Sequence, residues 1–175
     1  MDGYLLDTNT FDYLTDRADA RHPCVRERFE ALPNGTPVFV SAVTAGEVTY
    51  GISTFPAMDE AKKRGLLRAL AEFRVLDVTT ATKDSYAMVR AALFARTIKE
   101  GRKRLRPEQL RDPVTSLQMG VQENDVWLVA QALAHNLVFV TNDMKMRPLW
   151  VAAGEGLRVA NWARPEFRWP DAGSG

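Results

Sequence analysis

Residues 124–143 read NDVWLVAQALAHNLVFVTND, and this stretch indicates the fold most clearly. Its first part is apolar nearly all round, which is typical of a buried helix, and Asn124 is predicted to cap the start of that helix. Asn136 suits the end, because asparagine tolerates the left-handed conformation common after a helix. The run 137–140 that follows is the strongest strand signal in the sequence. The stretch therefore predicts a buried helix followed directly by a strand.

Shorter apolar runs on either side predict the remaining strands. These runs lie at 4–6, 38–40, 75–78 and 157–162. Helical patterns lie at 57–73 and 83–98, and a shorter one starts near Phe11, with Thr8 or Asn9 as its cap. Strands that alternate with helices of this length form βαβ units. The fold class is therefore α/β, with a central parallel sheet of four to five strands.

Polar residues follow the predicted strands. Asp7 follows the first strand, and Ser41 follows the second and caps a helix that carries Glu47. Thr141, Asn142 and Asp143 follow the strongest strand, and Asp125 lies in the first turn of the buried helix. In open α/β sheets, binding sites gather beyond the carboxyl ends of the strands. Four carboxylates are thus expected to converge at one edge of the sheet: Asp7, Glu47, Asp125 and Asp143.

Such a cluster points to a metal site. Packed together, the carboxylates would repel one another, and a divalent cation removes this repulsion. Oxygen ligands suit Mg²⁺ or Mn²⁺ better than zinc. Such an ion polarises a phosphodiester and generates hydroxide at neutral pH, which is the chemistry of many nucleases. Asn9, Thr141 and Asn142 are placed to orient the carboxylates or to position water.

Each acidic residue also has a simpler interpretation. An aspartate after a strand is usually a turn or helix cap, which applies to Asp7 and to Asp143 taken alone. Asp125 is equally placed to interact with the helix dipole. Glu47 differs, because it lies in an otherwise apolar helix, where a carboxylate without a partner is costly to bury. The metal site is therefore supported by the pattern as a whole.

Composition narrows the class of protein. With 175 residues the chain fits one α/β domain, and a formal net charge of +1 excludes a global basic field. Any nucleic acid must then be bound by local patches. The single Cys24 forms no internal disulfide. The start of the sequence lacks the pattern of a signal peptide, and no apolar run is long enough to span a bilayer, so the expected location is the cytoplasm and no membrane contact is expected.

The ordered motifs resemble those of the PIN-domain family and, within it, the VapC-type toxins. The similar segments are 5–9 (LLDTN), 40–52 (VSAVTAGEVTYGI), 124–130 (NDVWLVA) and 138–143 (VFVTND). The segment 156–162 (GLRVANW) is similar to the usual last strand of that family. The predicted boundaries are a PIN domain at 1–162 and a C-terminal extension at 163–175.

The resemblance implies a three-layer sandwich with helices on both faces of the sheet. It further implies a Mg²⁺- or Mn²⁺-dependent endoribonuclease, with Asp7, Glu47, Asp125 and Asp143 holding the metal. The expected partners are RNA, a second copy of the chain, and a small VapB-like antitoxin whose tail covers the acidic site. Many relatives carry another acid shortly after the fourth motif, but residues 144–147 read MKMR here, which argues against a second metal ion.

A basic segment precedes the third motif and looks longer than usual for the family. Its positive residues are candidates for contacting RNA phosphates without reading sequence. They are Lys99, Arg102, Lys103, Arg104, Arg106 and Arg111. The same segment is equally interpreted as a solvated helix end or as a surface for the antitoxin.

Three other functions remain open at this level. A PIN-type RNA-processing nuclease without a toxin role would have the same site chemistry. A phosphotransfer domain would also place an aspartate after its first strand, but Asn9 stands where haloacid-dehalogenase-like enzymes need a second aspartate. A degenerate RNA-binding domain would not need all four acids.

Overall fold

A parallel sheet forms the centre of the molecule. The computed structural model of the chain describes residues 3–97, 105–164 and 166. Within them, the strands are β1 (Tyr4–Leu6), β2 (Val38–Ser41), β3 (Arg74–Leu76), β4 (Val138–Val140) and β5 (Arg158–Ala160). They pair in the order β3-β2-β1-β4-β5, and every pair is parallel. The expected α/β class and parallel sheet are confirmed.

Helices connect the strands. They are α1 (Thr8–Thr15), α2 (His22–Glu30), α3 (Ala42–Thr54), α4 (Glu60–Glu72), α5 (Thr82–Ala95), α6 (Glu123–Ala134) and α7 (Arg147–Ala153). Short 3₁₀ turns lie at Pro107–Gln109, Met144–Met146 and Gly154–Gly156. None of the helices in the described ranges combines the length and apolar character needed to cross a lipid bilayer.

The core lies in two layers, one on each side of the sheet. Leu5 and Phe139 belong to a cluster built with α5, α6 and α7. Leu6 and Val140, their neighbours along the same strands, belong to a second cluster that includes Phe11 of α1 and residues of α2 and α3. Successive strand residues point to opposite faces, so both faces of the sheet are covered. The expected three-layer sandwich is thus confirmed.

The predicted helix starts need correction. Asp7, rather than Thr8 or Asn9, caps α1, because its side chain accepts a hydrogen bond from the backbone N–H of Thr10. Gln122, rather than Asn124, is the capping residue of α6. The long helix α4 begins at Glu60, three residues later than expected, because Asp59 caps it. The sequence analysis also did not predict α2.

Other local predictions are confirmed. Ser41 caps α3 by accepting a hydrogen bond from the backbone N–H of Val43. Asn136 follows α6 with a φ of 51°, in the left-handed conformation. Strand β3 ends two residues earlier than expected, and β5 occupies the centre of its predicted range.

A buried glutamine joins α6 to the edge of the sheet. Gln131 is fully buried, and its amide nitrogen donates to the carbonyl oxygens of Leu76 (3.0 Å) and Asp77 (3.1 Å). Its carbonyl oxygen accepts a hydrogen bond from the hydroxyl of Ser41. These bonds satisfy polar groups at the ends of β2 and β3, which burial would otherwise leave without a partner.

Replacing this glutamine should destabilise the domain. In Gln131→Met the side-chain volume is kept but the buried hydrogen-bond partners are left unpaired. We expect the free energy of unfolding to fall by about 2–4 kcal/mol in urea denaturation. The control Gln118→Met changes an exposed residue and should stay within about 0.5 kcal/mol of the unsubstituted protein. Equal stability of the two variants would show that Gln131 does not hold the sheet edge.

Candidate active site

The pairing of β1 with β2 and β4 brings the polar residues together. Leu6 lies opposite Val40 on one side and Val140 on the other, so the three strands end within one residue of the same level. Asp7 follows Leu6 directly, and its backbone N–H donates to the carbonyl oxygen of Val140 (3.0 Å). The site is therefore built at the carboxyl edge of the sheet, where it was expected.

Asp7 is the most deeply buried of the acids, with 3% of its surface exposed. One carboxylate oxygen accepts from the backbone N–H of Thr10 (2.6 Å), and the other accepts from the hydroxyl of Thr141. Burial raises the pKa of Asp7 from 3.8 to about 6, although the hydrogen bonds from Thr10 and Thr141 lower it. The negative charge of Asp143 raises it further, which places Asp143 within electrostatic reach.

Asp125 lies in the first turn of α6 and is partly buried. Its carboxylate accepts a hydrogen bond from the backbone N–H of Gln122 (2.8 Å). Desolvation raises the pKa of Asp125 to about 6, the bond from Gln122 lowers it, and the charges of Asp143 and Glu47 raise it again. The acid therefore binds the backbone of the capping residue Gln122 at the start of its helix, and the charges of the other acids also affect its pKa.

Glu47 is held from two sides by side chains that sequence reasoning did not select. The hydroxyl of Thr8 donates to one carboxylate oxygen, and the amide of Asn124 donates to the other (2.7 Å). These residues belong to α1 and α6, 39 and 77 positions away along the chain. In the sequence each is adjacent to a selected acid, Asp7 or Asp125, but each was expected only as a helix cap.

Asp143 begins the 3₁₀ turn after β4. Its carboxylate accepts from the backbone N–H of Lys145 (2.8 Å), and its own N–H donates to the hydroxyl of Thr141 (3.0 Å). Thr141 is buried, and its side chain thus contacts both Asp7 and Asp143. Thr141 therefore links two of the acids, and its orienting role beside a metal stays a prediction.

The two selected asparagines are placed differently. Asn9 is exposed and lines the cavity of the acids. The side-chain oxygen of Asn142 accepts a hydrogen bond from the amide of Asn161 (2.9 Å), which joins the segment after β4 to the end of β5. This contact supports a structural role for Asn142, and its role beside the carboxylates stays a prediction.

All four acids line one cavity of about 290 Å³. Its other lining residues include Thr8, Asn9, Gly120, Gln122 and Lys145. The oxygen-rich donor set suits a hard divalent cation. Across the described ranges, however, no three Asp, Glu, His or Cys side chains are arranged to hold a metal ion. Ligation by several of these acids would therefore require their side chains to move closer to one another.

A larger cavity of about 620 Å³ adjoins the first and shares Thr8, Asn9 and Glu47 with it. It contains Asp12 of α1, which the sequence analysis did not select. Partial desolvation raises the pKa of Asp12 to about 6, the charge of Lys62 lowers it, and the charges of Asp16 and Glu47 raise it. The acidic site therefore continues along α1.

Most of the predicted basic segment lies outside the described residues. Lys99, Arg102, Lys103 and Arg104 belong to this part. Arg106 is exposed, and the guanidinium of Arg111 donates to the carbonyl oxygen of Ser116 (2.9 Å). The contact of this segment with RNA stays a prediction.

Comparison with protein families gives one decisive result: the PIN domain matches residues 4–148, which contain all four acids. The chain belongs to the PIN domain family. This membership makes it a nuclease-type domain. A comparison with curated proteins gives no significant match.

Chains in several solved structures have a similar fold. A chain of VapBC2 from Rickettsia felis, bound to a promoter DNA fragment, is 20% identical, with a TM-score of 0.65 over 91% of this chain and 98% of that one. A chain of DNA-bound VapBC from Salmonella typhimurium is 24% identical, with a TM-score of 0.61 over 93% of this chain and 99% of that one. A chain of VapBC-5 from Mycobacterium tuberculosis, described as a member of a family of toxin–antitoxin systems, is 20% identical, with a TM-score of 0.54 over 92% of this chain and 98% of that one.

The buried carboxylate of this PIN domain should make its metal-free stability depend on pH. The pKa of Asp7 is raised on folding, so the folded protein binds a proton more tightly than the unfolded chain does. The proton bound by Asp7 therefore stabilises the folded protein below pH 4, and this stabilisation is lost as the pH rises through 6. In EDTA, we expect Asp7→Asn to match the original protein at pH 4 and to exceed its stability by about 1–3 kcal/mol at pH 8.

Asp59→Asn is the matched control in these urea titrations, since Asp59 also caps a helix but is exposed to water. It should show no comparable gain at pH 8. If Asp7→Asn were no more stable than the original protein at either pH, burial of the ionised Asp7 carboxylate would not lower the free energy of unfolding.

Proposed function

We propose that the chain is an endoribonuclease that depends on a divalent cation. The observation that carries this proposal is the convergence of Asp7, Glu47, Asp125 and Asp143 on one cavity of a PIN domain. These four residues would hold Mg²⁺ or Mn²⁺, directly or through water. The bound ion would supply Lewis-acid polarisation of a phosphodiester and a hydroxide nucleophile at neutral pH.

The raised pKa values of Asp7 and Asp125 support a cation at this position. Both acids are costly to ionise without a positive charge nearby, because they are desolvated and surrounded by like charges. A divalent cation would offset that cost and keep both groups ionised at neutral pH.

The surrounding polar side chains would fix the carboxylates for this task. The hydroxyl of Thr141 restrains Asp7, while Thr8 and Asn124 bind the two oxygens of Glu47. Partners of this kind orient metal-binding carboxylates and raise metal affinity. RNA would enter from the open side of the cavity, where Asn9 and Lys145 are exposed.

We further propose that the enzyme is the toxin of a VapBC-type pair. The solved relatives with the same fold are VapBC complexes, and one is described as a toxin–antitoxin system. On this proposal, a small VapB-like antitoxin covers the acidic cavity, the toxin forms a homodimer, and both act in the cytoplasm. The PIN domain would extend to residue 162, with 163–175 as a C-terminal extension.

Removing one acid should abolish RNA cleavage. Asp125→Asn can still accept the bond from Gln122 but lacks the charge to hold a cation. Against a mixed cellular RNA pool, we expect cleavage with Mg²⁺ or Mn²⁺, none in EDTA, and a loss of at least about 100-fold in this variant. The control Asp59→Asn should cleave at the original rate.

Circular dichroism should first show that the variants are folded. Growth arrest on expression of the original protein, but not of Asp125→Asn, would support a toxin rather than an RNA-processing enzyme. Full cleavage by folded Asp125→Asn, or equal cleavage in EDTA, would contradict the proposed function.

A further inference from the structure

The acidic cavity contains a single positively charged lining residue among those that the structure describes. This residue is Lys145, in the 3₁₀ turn that follows Asp143. The other charged side chains of the lining are the four acids. A cation in such a position is notable, because the cavity is otherwise suited to repel any anionic substrate.

The backbone and stem of Lys145 are held in place. Its backbone N–H donates to the carboxylate of Asp143 (2.8 Å), so the position of the lysine is linked directly to one of the acids. Its stem lies against Gly120: a Cβ built there would meet the Cβ and Cδ of Lys145 at 3.8 Å and its Cγ at 3.9 Å. Gly120 has a φ of +72°, which favours glycine at this point.

The ammonium group remains available. Lys145 is exposed and forms no ion pair with any residue in the described part of the chain. A lysine that only neutralised the cavity would be expected to pair with one of its carboxylates, as Arg90 pairs with Glu123 elsewhere in the molecule. The charge of Lys145 is thus free for a group that is not part of the protein.

The charge balance of the cavity indicates what that group is. A divalent cation would offset only two of the charges of the four carboxylates. An RNA strand that approaches would therefore still meet net negative charge, and each phosphate adds another. A lysine at the rim provides the point charge that a phosphate needs in order to lie beside the acids.

We propose that Lys145 is a substrate-binding residue that contacts a backbone phosphate of the RNA strand beside the cleaved bond. This inference rests on the proposed ribonuclease function and assigns a residue to its substrate. Because lysine binds a phosphate as a point charge, the contact would hold the strand without reading its sequence.

Binding of a labelled RNA tests this contact without relying on cleavage. The probe is a fluorescein-labelled single-stranded RNA of mixed sequence, measured by anisotropy without added metal in an Asp125→Asn background, so that the RNA is not cleaved. Adding Lys145→Met keeps an unbranched stem against Gly120 but removes the charge. We expect the dissociation constant to rise about tenfold and the slope of log Kd against log salt to fall by about 0.7, because one phosphate contact is lost.

Two further variants separate charge from structure. Lys145→Arg should keep RNA affinity within about threefold, because it restores the phosphate contact. Lys83→Met removes an exposed lysine of α5, which does not line the cavity, and should leave affinity and salt slope unchanged. If Lys145→Met binds RNA as tightly as Lys83→Met with the same salt slope, the proposal is overturned.

Cleavage kinetics in the otherwise unsubstituted protein distinguish the two proposals. A rise in KM for Lys145→Met with little change in kcat would support the phosphate contact. An original protein that cleaves no RNA would contradict the ribonuclease function, while the binding measurement would still decide the role of Lys145. A loss of kcat with KM unchanged would show that Lys145 does not act by binding substrate.

Discussion

Parallel pairing of β1 with β2 and β4 is the constraint on which the rest of the site depends. The three strands run in the same direction and end within one residue of the same level, so the residues just beyond them lie at the same edge of the sheet. Asp7 and Thr141 meet there although they are 134 positions apart. A slip of one residue in β1 would turn Asp7 away from this edge and would exchange Leu5 and Leu6, which are fully buried, between the two layers of the core.

The acids tolerate one another because each is also bound by donors of its own. Asp7 caps α1, Asp125 accepts a backbone bond at the start of α6, and Asp143 begins a 3₁₀ turn. The backbone N–H groups at the starts of these helical segments offset part of the negative charge of the carboxylates. Burial outweighs these hydrogen bonds and raises the pKa of Asp7 and of Asp125 to about 6, and the charges of the neighbouring acids raise it further. The residues that bind backbone groups at these starts are thus also the ones proposed to hold a cation.

The sequence predicted those features that depend on local pattern and strand order. The buried helix α6, the strand β4 and the carboxylates beyond the strands could be inferred from hydrophobic runs and from the rule for parallel sheets. Helix starts were less predictable, because Thr8, Asn9 and Asp7 are all competent caps, and only the end of β1 decides among them.

The support of Glu47 could not be predicted from the sequence. Thr8 and Asn124 reach it only after α1, α3 and α6 have packed together, and no periodicity encodes contacts between such distant positions. The partner of Asn142 was unpredictable for the same reason, because Asn161 approaches it only when β5 pairs with β4. Asp12 was overlooked because its environment is formed by Lys62 and Glu47 from two other helices.

The four carboxylates are proposed to hold a divalent cation together. Anomalous diffraction from crystals soaked in Mn²⁺ would locate such an ion without assuming any activity. We expect a manganese peak inside the cavity, within coordination distance of the carboxylates of Asp7 and Asp125. If the crystals are soaked at a saturating Mn²⁺ concentration, the cavity is open to solvent and no peak appears in it, the proposed cation site would be contradicted.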